Sequence, residues 1–235
     1  YALAAELLAF AAWAAGDGRR AKESAAEARA IVEAGRAGPR GPYALVRLAR
    51  LAEEWDDAAQ AERGYAEGLE GLRNSEDRTW LAAALVMAAD FETARGRPEA
   101  AFPMLREAIA IHRLTDDRVG LATGLRGLGL AHEAAGEFDA AREALRRSAS
   151  LVRTGESMAA FATALVPLAR LEADVRPDRA ERLARTALAH LRALPRAELE
   201  AVVVKGARLI DEAEAALARA LRSGSAPRFP RTRQA

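Results

Sequence analysis

The chain contains no cysteine, which excludes a disulfide framework, a thiolate nucleophile and a cysteine-ligated zinc site. Aromatic residues make up only 5% of its 235 residues, while alanine, leucine, arginine and glutamate dominate. That balance favours helix along nearly the whole length and strand almost nowhere, so the expected fold class is all-α. An excess of either charge is lacking too. With 35 basic residues against 34 acidic ones the net charge is +1, and no global field draws the protein toward nucleic acid or a membrane surface.

Long hydrophobic runs are also missing. The most apolar stretches, Leu7–Ala15 and Leu81–Ala89, are each nine residues, against about 20 for a membrane-spanning helix. The first has no basic segment before it and no cleavage signal after it, so it reads as a buried helix and not as a leader. No initiator methionine stands at residue 1, and Tyr1 already lies in a helical pattern, so the chain is expected to be a piece of a longer protein acting in the cytoplasm.

What is present is apolar material, 51% of the residues, enough for the core of one elongated domain or two small ones. It is arranged periodically. Ala21, Ala61, Ala101 and Ala141 follow at intervals of forty, and Ala180 follows at thirty-nine. Leu8, Leu48, Ala88 and Leu128 form a second column, and Ala25, Tyr65, Leu105 and Leu145 a third. Just before the alanines the columns hold Gly16, Asp56, Gly96 and Gly136.

Within each unit the apolar and small residues recur at three- and four-residue steps, which puts them on one helix face. The glycine between them can take positive φ and end the first helix. Each unit is therefore a helical hairpin that must stack on its neighbours to bury its apolar face.

The spacing predicts hairpins over about 2–34, 42–73, 77–113, 117–153 and 157–193, and a capping helix over 196–222. Together these make one repeat domain, 1–222, followed by a disordered basic tail, 223–235. Pro98 and Pro177 suit first helical positions, and Ser75, Asp116 and Asp139 offer oxygen acceptors near other helix starts. Pro103 and Pro167 fall inside predicted helices and are expected to kink them. Phe138 is expected to pack the corner of the fourth hairpin, and Arg142 to stand exposed.

The segment from Ala122 to Val152 resembles a tetratricopeptide repeat through Leu125, Leu128, Gly129, Gly136, Phe138, Ala141, Leu145 and Ser148. Leu85–Ile111 is similar through Ala89, Gly96, Ala101, Leu105 and Ala108. The forty-residue period, longer than the family's usual one, resembles the long-repeat subtype of bacterial signal-responsive regulators, including antibiotic regulatory proteins and LuxR-type ATPase regulators. The resemblance implies a right-handed α-solenoid whose concave groove is lined by the first helix of each hairpin. Projected on this chain, it implies groove residues Arg50, Glu53, Asp90, Thr93, Thr123, Arg126, Glu133, Arg170 and Glu172.

Reacting groups are not assembled anywhere in the sequence. His112, His132 and His190 stand far apart without partners at ligand spacing, and the string at His132–Gly136 ends in glycine where a zinc-protease helix needs its second histidine. Gly124–Gly129 approaches a dinucleotide fingerprint but sits in a helix with no strand before it, so close helix packing explains its glycines. No catalytic residue, metal site or cofactor is expected.

Two stretches, Gly35–Arg50 and Arg222–Ala235, each hold four arginines and no acid. The tryptophans Trp13, Trp55 and Trp80 read as packing residues. The expected function is binding: a protein or peptide in the groove, or a small effector, within a larger bacterial transcriptional regulator. The alternative is a free-standing adaptor or assembly scaffold with no transcriptional role. Neither direct nucleic-acid binding by this segment nor a membrane association is expected.

Overall fold

The computed structural model describes residues 2–75, 77–152, 157–194 and 206–224. Among these residues there are eleven α-helices and no strand. They are α1 (Ala2–Ala14), α2 (Gly18–Glu33), α3 (Gly41–Glu54), α4 (Ala58–Arg73), α5 (Arg78–Ala94) and α6 (Pro98–Leu114), then α7 (Arg118–Ala134), α8 (Phe138–Val152), α9 (Met158–Glu172), α10 (Pro177–Ala193) and α11 (Gly206–Gly224). The expected start of the last helix, near 196, and the tail from 225 onward lie outside the described residues.

The forty-residue register is built on one repeated turn. In four hairpins the backbone N–H five residues past a helical carbonyl returns to it: Asp17 to Ala12 at 2.9 Å, Asp57 to Ala52 at 3.0 Å, Arg97 to Glu92 at 2.9 Å and Glu137 to His132 at 2.8 Å. This 6→1 bond closes the helix end around one left-handed residue. That residue is Gly16, Gly96 or Gly136, with φ between 72° and 80°, and in the second hairpin Asp56 takes the same conformation at 55°. The fifth hairpin departs from the scheme. There Arg176 N–H bonds the Glu172 carbonyl, four residues back, at 2.7 Å. The turn is one residue shorter, and this accounts for the single interval of thirty-nine.

Helix starts follow a second rule, with a correction to the predicted caps. Asp17, Asp57, Asp77, Asp117 and Ser157 are the capping residues whose side chains accept from first-turn N–H groups. Ser75 instead turns its hydroxyl to the Leu72 carbonyl at 2.8 Å, and Asp116 occupies the left-handed position of its turn at φ 52°. Pro98 and Pro177 open α6 and α10, while α6 and α9 continue as helix through Pro103 and Pro167.

Two compact units divide the chain, residues 1–141 and 142–235, with the division falling inside α8. In the first unit α1 packs on α2, α3 on α4 and α5 on α6. Successive hairpins join because α3 packs on both α1 and α2, α5 on both α3 and α4, and α7 on both α5 and α6. The small-residue columns permit this approach: Ala21, Ala61, Ala101 and Ala141 are all fully buried.

A Cβ added at Gly127 would stand 2.7 Å from Leu105 Cδ2, and one at Gly124 would stand 3.0 Å from Ile109 Cγ1. The α7 glycines therefore serve close helix packing. Outside the core, arginine–carboxylate pairs such as Arg29–Glu67 at 2.7 Å link neighbouring even-numbered helices, each worth little at the surface.

In the second unit α10 packs on α9, and α11 packs on both. Its core is formed by Ala162, Leu165, Val166, Ala187, Leu188 and Leu191 with Ala149 and Ala213. Arg142, expected to stand exposed, is instead half-buried and donates to the Leu171 carbonyl at 3.3 Å. Phe138, expected to pack a corner, is instead 51% exposed.

Candidate protein-binding face

The odd-numbered helices of the first unit pack in sequence, so residues at one helical register fall beside one another on α3, α5 and α7. Two charged pairs occupy that line. Arg126 Nη2 donates to Asp90 Oδ2 at 2.7 Å across α5 and α7, each side chain being 18% exposed. On α3, Arg50 Nη1 lies 3.7 Å from Glu53 Oε2, and the Tyr65 hydroxyl of α4 donates to Glu53 Oε1.

Electrostatics ties the pairs together. Burial works against the Arg50 charge, but Glu53, Tyr65 and Asp90 outweigh it and hold the guanidinium above its ordinary range. Burial and then the Glu53 carboxylate push the Tyr65 phenol far up, so it remains a donor. Two positive and two negative side chains thus stand in fixed alternation, half-buried and already bonded.

Thr93 and Thr123 donate their hydroxyls to the Ala89 carbonyl at 2.8 Å and the Val119 carbonyl at 3.0 Å, within their own helices. Glu133 is half-buried on α7.

The second unit treats its two candidates differently. Arg170 Nη1 reaches Glu212 Oε2 of α11 at 3.5 Å. Glu172 is fully buried, with Arg146 at 2.6 Å and both Arg176 and Arg179 at 3.9 Å. Its place is in the core of that unit, because the short turn after α9 folds Arg176 and Arg179 over it while Arg146 reaches it from α8.

Several polar residues went unremarked in the sequence. Tyr65 stands in an otherwise small or aliphatic column, and its hydroxyl there was the one available sign of a polar partner. Glu6 of α1 is fully buried against Arg47 of α3, and burial raises its carboxyl above the ordinary range despite that charge. The Arg47 guanidinium also lies 4.5 Å over the Phe10 ring and that of Arg40 5.6 Å over the Trp80 ring, so Arg40, Arg47 and Arg50, three of the four Gly35–Arg50 arginines, are engaged within the fold.

His112 is buried, its Nδ1 is 3.0 Å from Asp117 Oδ2, and the Asp117 Oδ1 accepts from Gly120 N–H at 2.8 Å. Burial lowers the imidazole pKa against the pull of Asp117. His132 meets Glu137 at 2.5 Å and the Phe102 ring at 4.9 Å, while His190 meets Phe161 at 5.4 Å. The histidines thus occupy three separate packing environments. Among the described residues no group of three histidines or acids could hold a metal ion, and no helix is long and apolar enough to cross a membrane. Trp80 packs on Tyr43 at 4.3 Å between ring centres.

Hairpins stacked through their first helices at a forty-residue interval define an all-α helical-repeat scaffold of the solenoid class. Residues 80–154 match the tetratricopeptide repeat family model. Among solved structures, BtubC (BKLC) from P. vanneervenii is 21% identical with a TM-score of 0.61, the alignment covering 91% of this chain and 94% of that one. A putative kinesin light chain of P. anserina with nearly identical TPR-like repeats is 16% identical with a TM-score of 0.56, over 80% of this chain and 97% of that one. No curated protein matches the sequence. The family match thus places tetratricopeptide repeats within residues 80–154, and the two solved structures share the fold of the chain.

Proposed function

We propose that the α3–α5–α7 wall holds an extended or helical segment of a partner protein, and that this module is the sensor or interaction region of a larger bacterial transcriptional regulator. One observation carries the binding reading: Arg50, Glu53, Asp90 and Arg126 form a mixed-charge line on consecutively packed helices, each held in place by an internal partner. Ligand binding to such a line loses little side-chain entropy, because the rotamers are already fixed. The regulator reading is supported by the long-repeat pattern of residues 85–152.

Exchanging Asp90→Arg with Arg126→Asp keeps the internal pair and the fold while inverting the field a ligand meets. A partner protein cross-linked to the wild type and lost from this double variant fits the proposal, whereas equal capture by both would remove the wall from the site. Deleting the repeats from the host's chromosomal copy is expected to abolish regulated transcription of target genes, and unchanged transcript levels would sink the regulator reading.

A further inference from the structure

At the end of α9 the second unit gathers more positive charge than the fold neutralises. Arg142 and Arg146 come from α8, Arg176 stands just before α10, and Arg179 lies in the first turn of α10. Among them is one buried carboxylate, Glu172. The exposed Asp174 is engaged elsewhere: Arg219 of α11 grips it through two nitrogens, and the Ser223 hydroxyl donates to it at 3.2 Å. Four arginines against Glu172 and Asp178, the acid in the first turn of α10, leave a surplus of two positive charges, since Asp174 and Arg219 cancel.

The arginines are not equally engaged. Arg146 Nη2 donates to Glu172 Oε1 at 2.6 Å, and Arg142 Nη2 donates to the Leu171 carbonyl at 3.3 Å. Arg176 Nε and Arg179 Nη1 each lie 3.9 Å from a Glu172 oxygen, too far for a hydrogen bond. Charge holds both guanidiniums at this edge without using their donors, and among the described residues neither donates a hydrogen bond to the protein. Their side chains are 56% and 37% exposed, so the donors reach solution. Each guanidinium carries five N–H groups in a planar fork that matches the oxygens of an oxyanion. Arg176 is also the capping position of α10, where no side chain caps the first turn, and the positive end of that helix dipole lies at the same edge.

We infer that Arg176 and Arg179, backed by Glu172 and the start of α10, form a binding site for a phosphoryl dianion. The surplus of two charges matches that of the group. Glu172 acts as a positioning residue, since a buried carboxylate behind the two forks limits the freedom they lose when they close on a ligand. The inference is independent of the α3–α5–α7 wall and shares no residue with it.

The test titrates the full chain with inorganic phosphate at about pH 8, where the group is dianionic, with sodium chloride balancing the ionic strength. Calorimetry is expected to show saturable binding, weakened about tenfold in Arg176→Gln and lost when Arg179→Gln is added. Arg146 still pairs Glu172 in both variants, and urea midpoints without phosphate check that they fold. Arg192→Gln, which removes an exposed arginine paired with Glu214 in the last turn of α10, should bind as the wild type does.

Glycerol 3-phosphate separates the sources of the group. Affinity equal to that for phosphate assigns the site to the end of a phosphate monoester, and binding of inorganic phosphate alone assigns it to the free ion. Heat no larger than that of a chloride blank overturns the inference, as does an equal loss of affinity in Arg192→Gln and Arg176→Gln. The arginines would then only neutralise Glu172 and the end of α9.

Discussion

Asp90 and Glu172 are both carboxylates on first helices of their hairpins, and each meets an arginine, yet they do opposite things. Asp90 is half-buried and holds Arg126 of the neighbouring α7, whereas Glu172 is fully buried under Arg146, Arg176 and Arg179. The difference arises at the turns. After α5 a left-handed glycine carries Arg97 across to Glu92 at 2.6 Å, and Asp90 is left to reach α7. After α9 the shorter turn brings Arg176 and Arg179 back onto Glu172 itself. A paired carboxylate thus stays partly accessible in one unit and becomes a core element in the other.

The largest expected effect comes from removing the buried member. Glu172→Ala leaves Arg146 without its counter-ion and should destabilise the protein by about 3 kcal/mol, measured by urea unfolding. A loss under about 1 kcal/mol would place Glu172 with Asp90 as a surface residue. Next is the close approach that brings α7 to α6 beside Asp90: Gly127→Val forces atoms into the buried Leu105 side chain and should cost about 2 kcal/mol. An unchanged midpoint would mean that the α6–α7 approach is not close-packed.

A smaller effect concerns pH. Burial holds the His112 pKa below its ordinary value, so the protonated form is disfavoured in the folded state. The neutral form's contribution is complete above the unfolded value of about 6.5 and is lost as pH falls through the folded value. Tm is therefore expected to fall on acidification below about pH 6.5, less so in His112→Gln, and a parallel pH profile for the two proteins would remove His112 as the cause. The smallest stability effect belongs to Asp90→Asn, no more than about 1 kcal/mol, although partner affinity should drop about tenfold. If stability fell as far as in Glu172→Ala, the contrast between the two carboxylates would collapse.

Much of the fold is legible in the columns. Small residues at forty-residue spacing, and a glycine before the second helix in the first, third and fourth hairpins, can be read directly, because helix packing tolerates only certain sizes at certain steps. The choice of cap was less legible, since Asp116 and Asp117 are adjacent acids and only backbone geometry separates the left-handed residue from the capping one. The site was partly legible. Arg50, Glu53, Asp90 and Arg126 could be placed on first helices from spacing, but which of them bond each other depends on how α3, α5 and α7 are laid side by side. Tyr65 stayed hidden because its column otherwise carries aliphatic side chains.

By itself the sequence determined that this protein is helical, that its helices pair into hairpins, and that the hairpins recur, because propensity and periodicity act over a few neighbouring residues. Only the tertiary structure decided that Glu172 is core while Asp90 stays half-buried against Arg126, and that Arg142 and Arg47 are engaged. Those outcomes depend on which side chains are carried together by turns of five or four residues, and burial is a property of the assembled neighbours, which no local pattern contains.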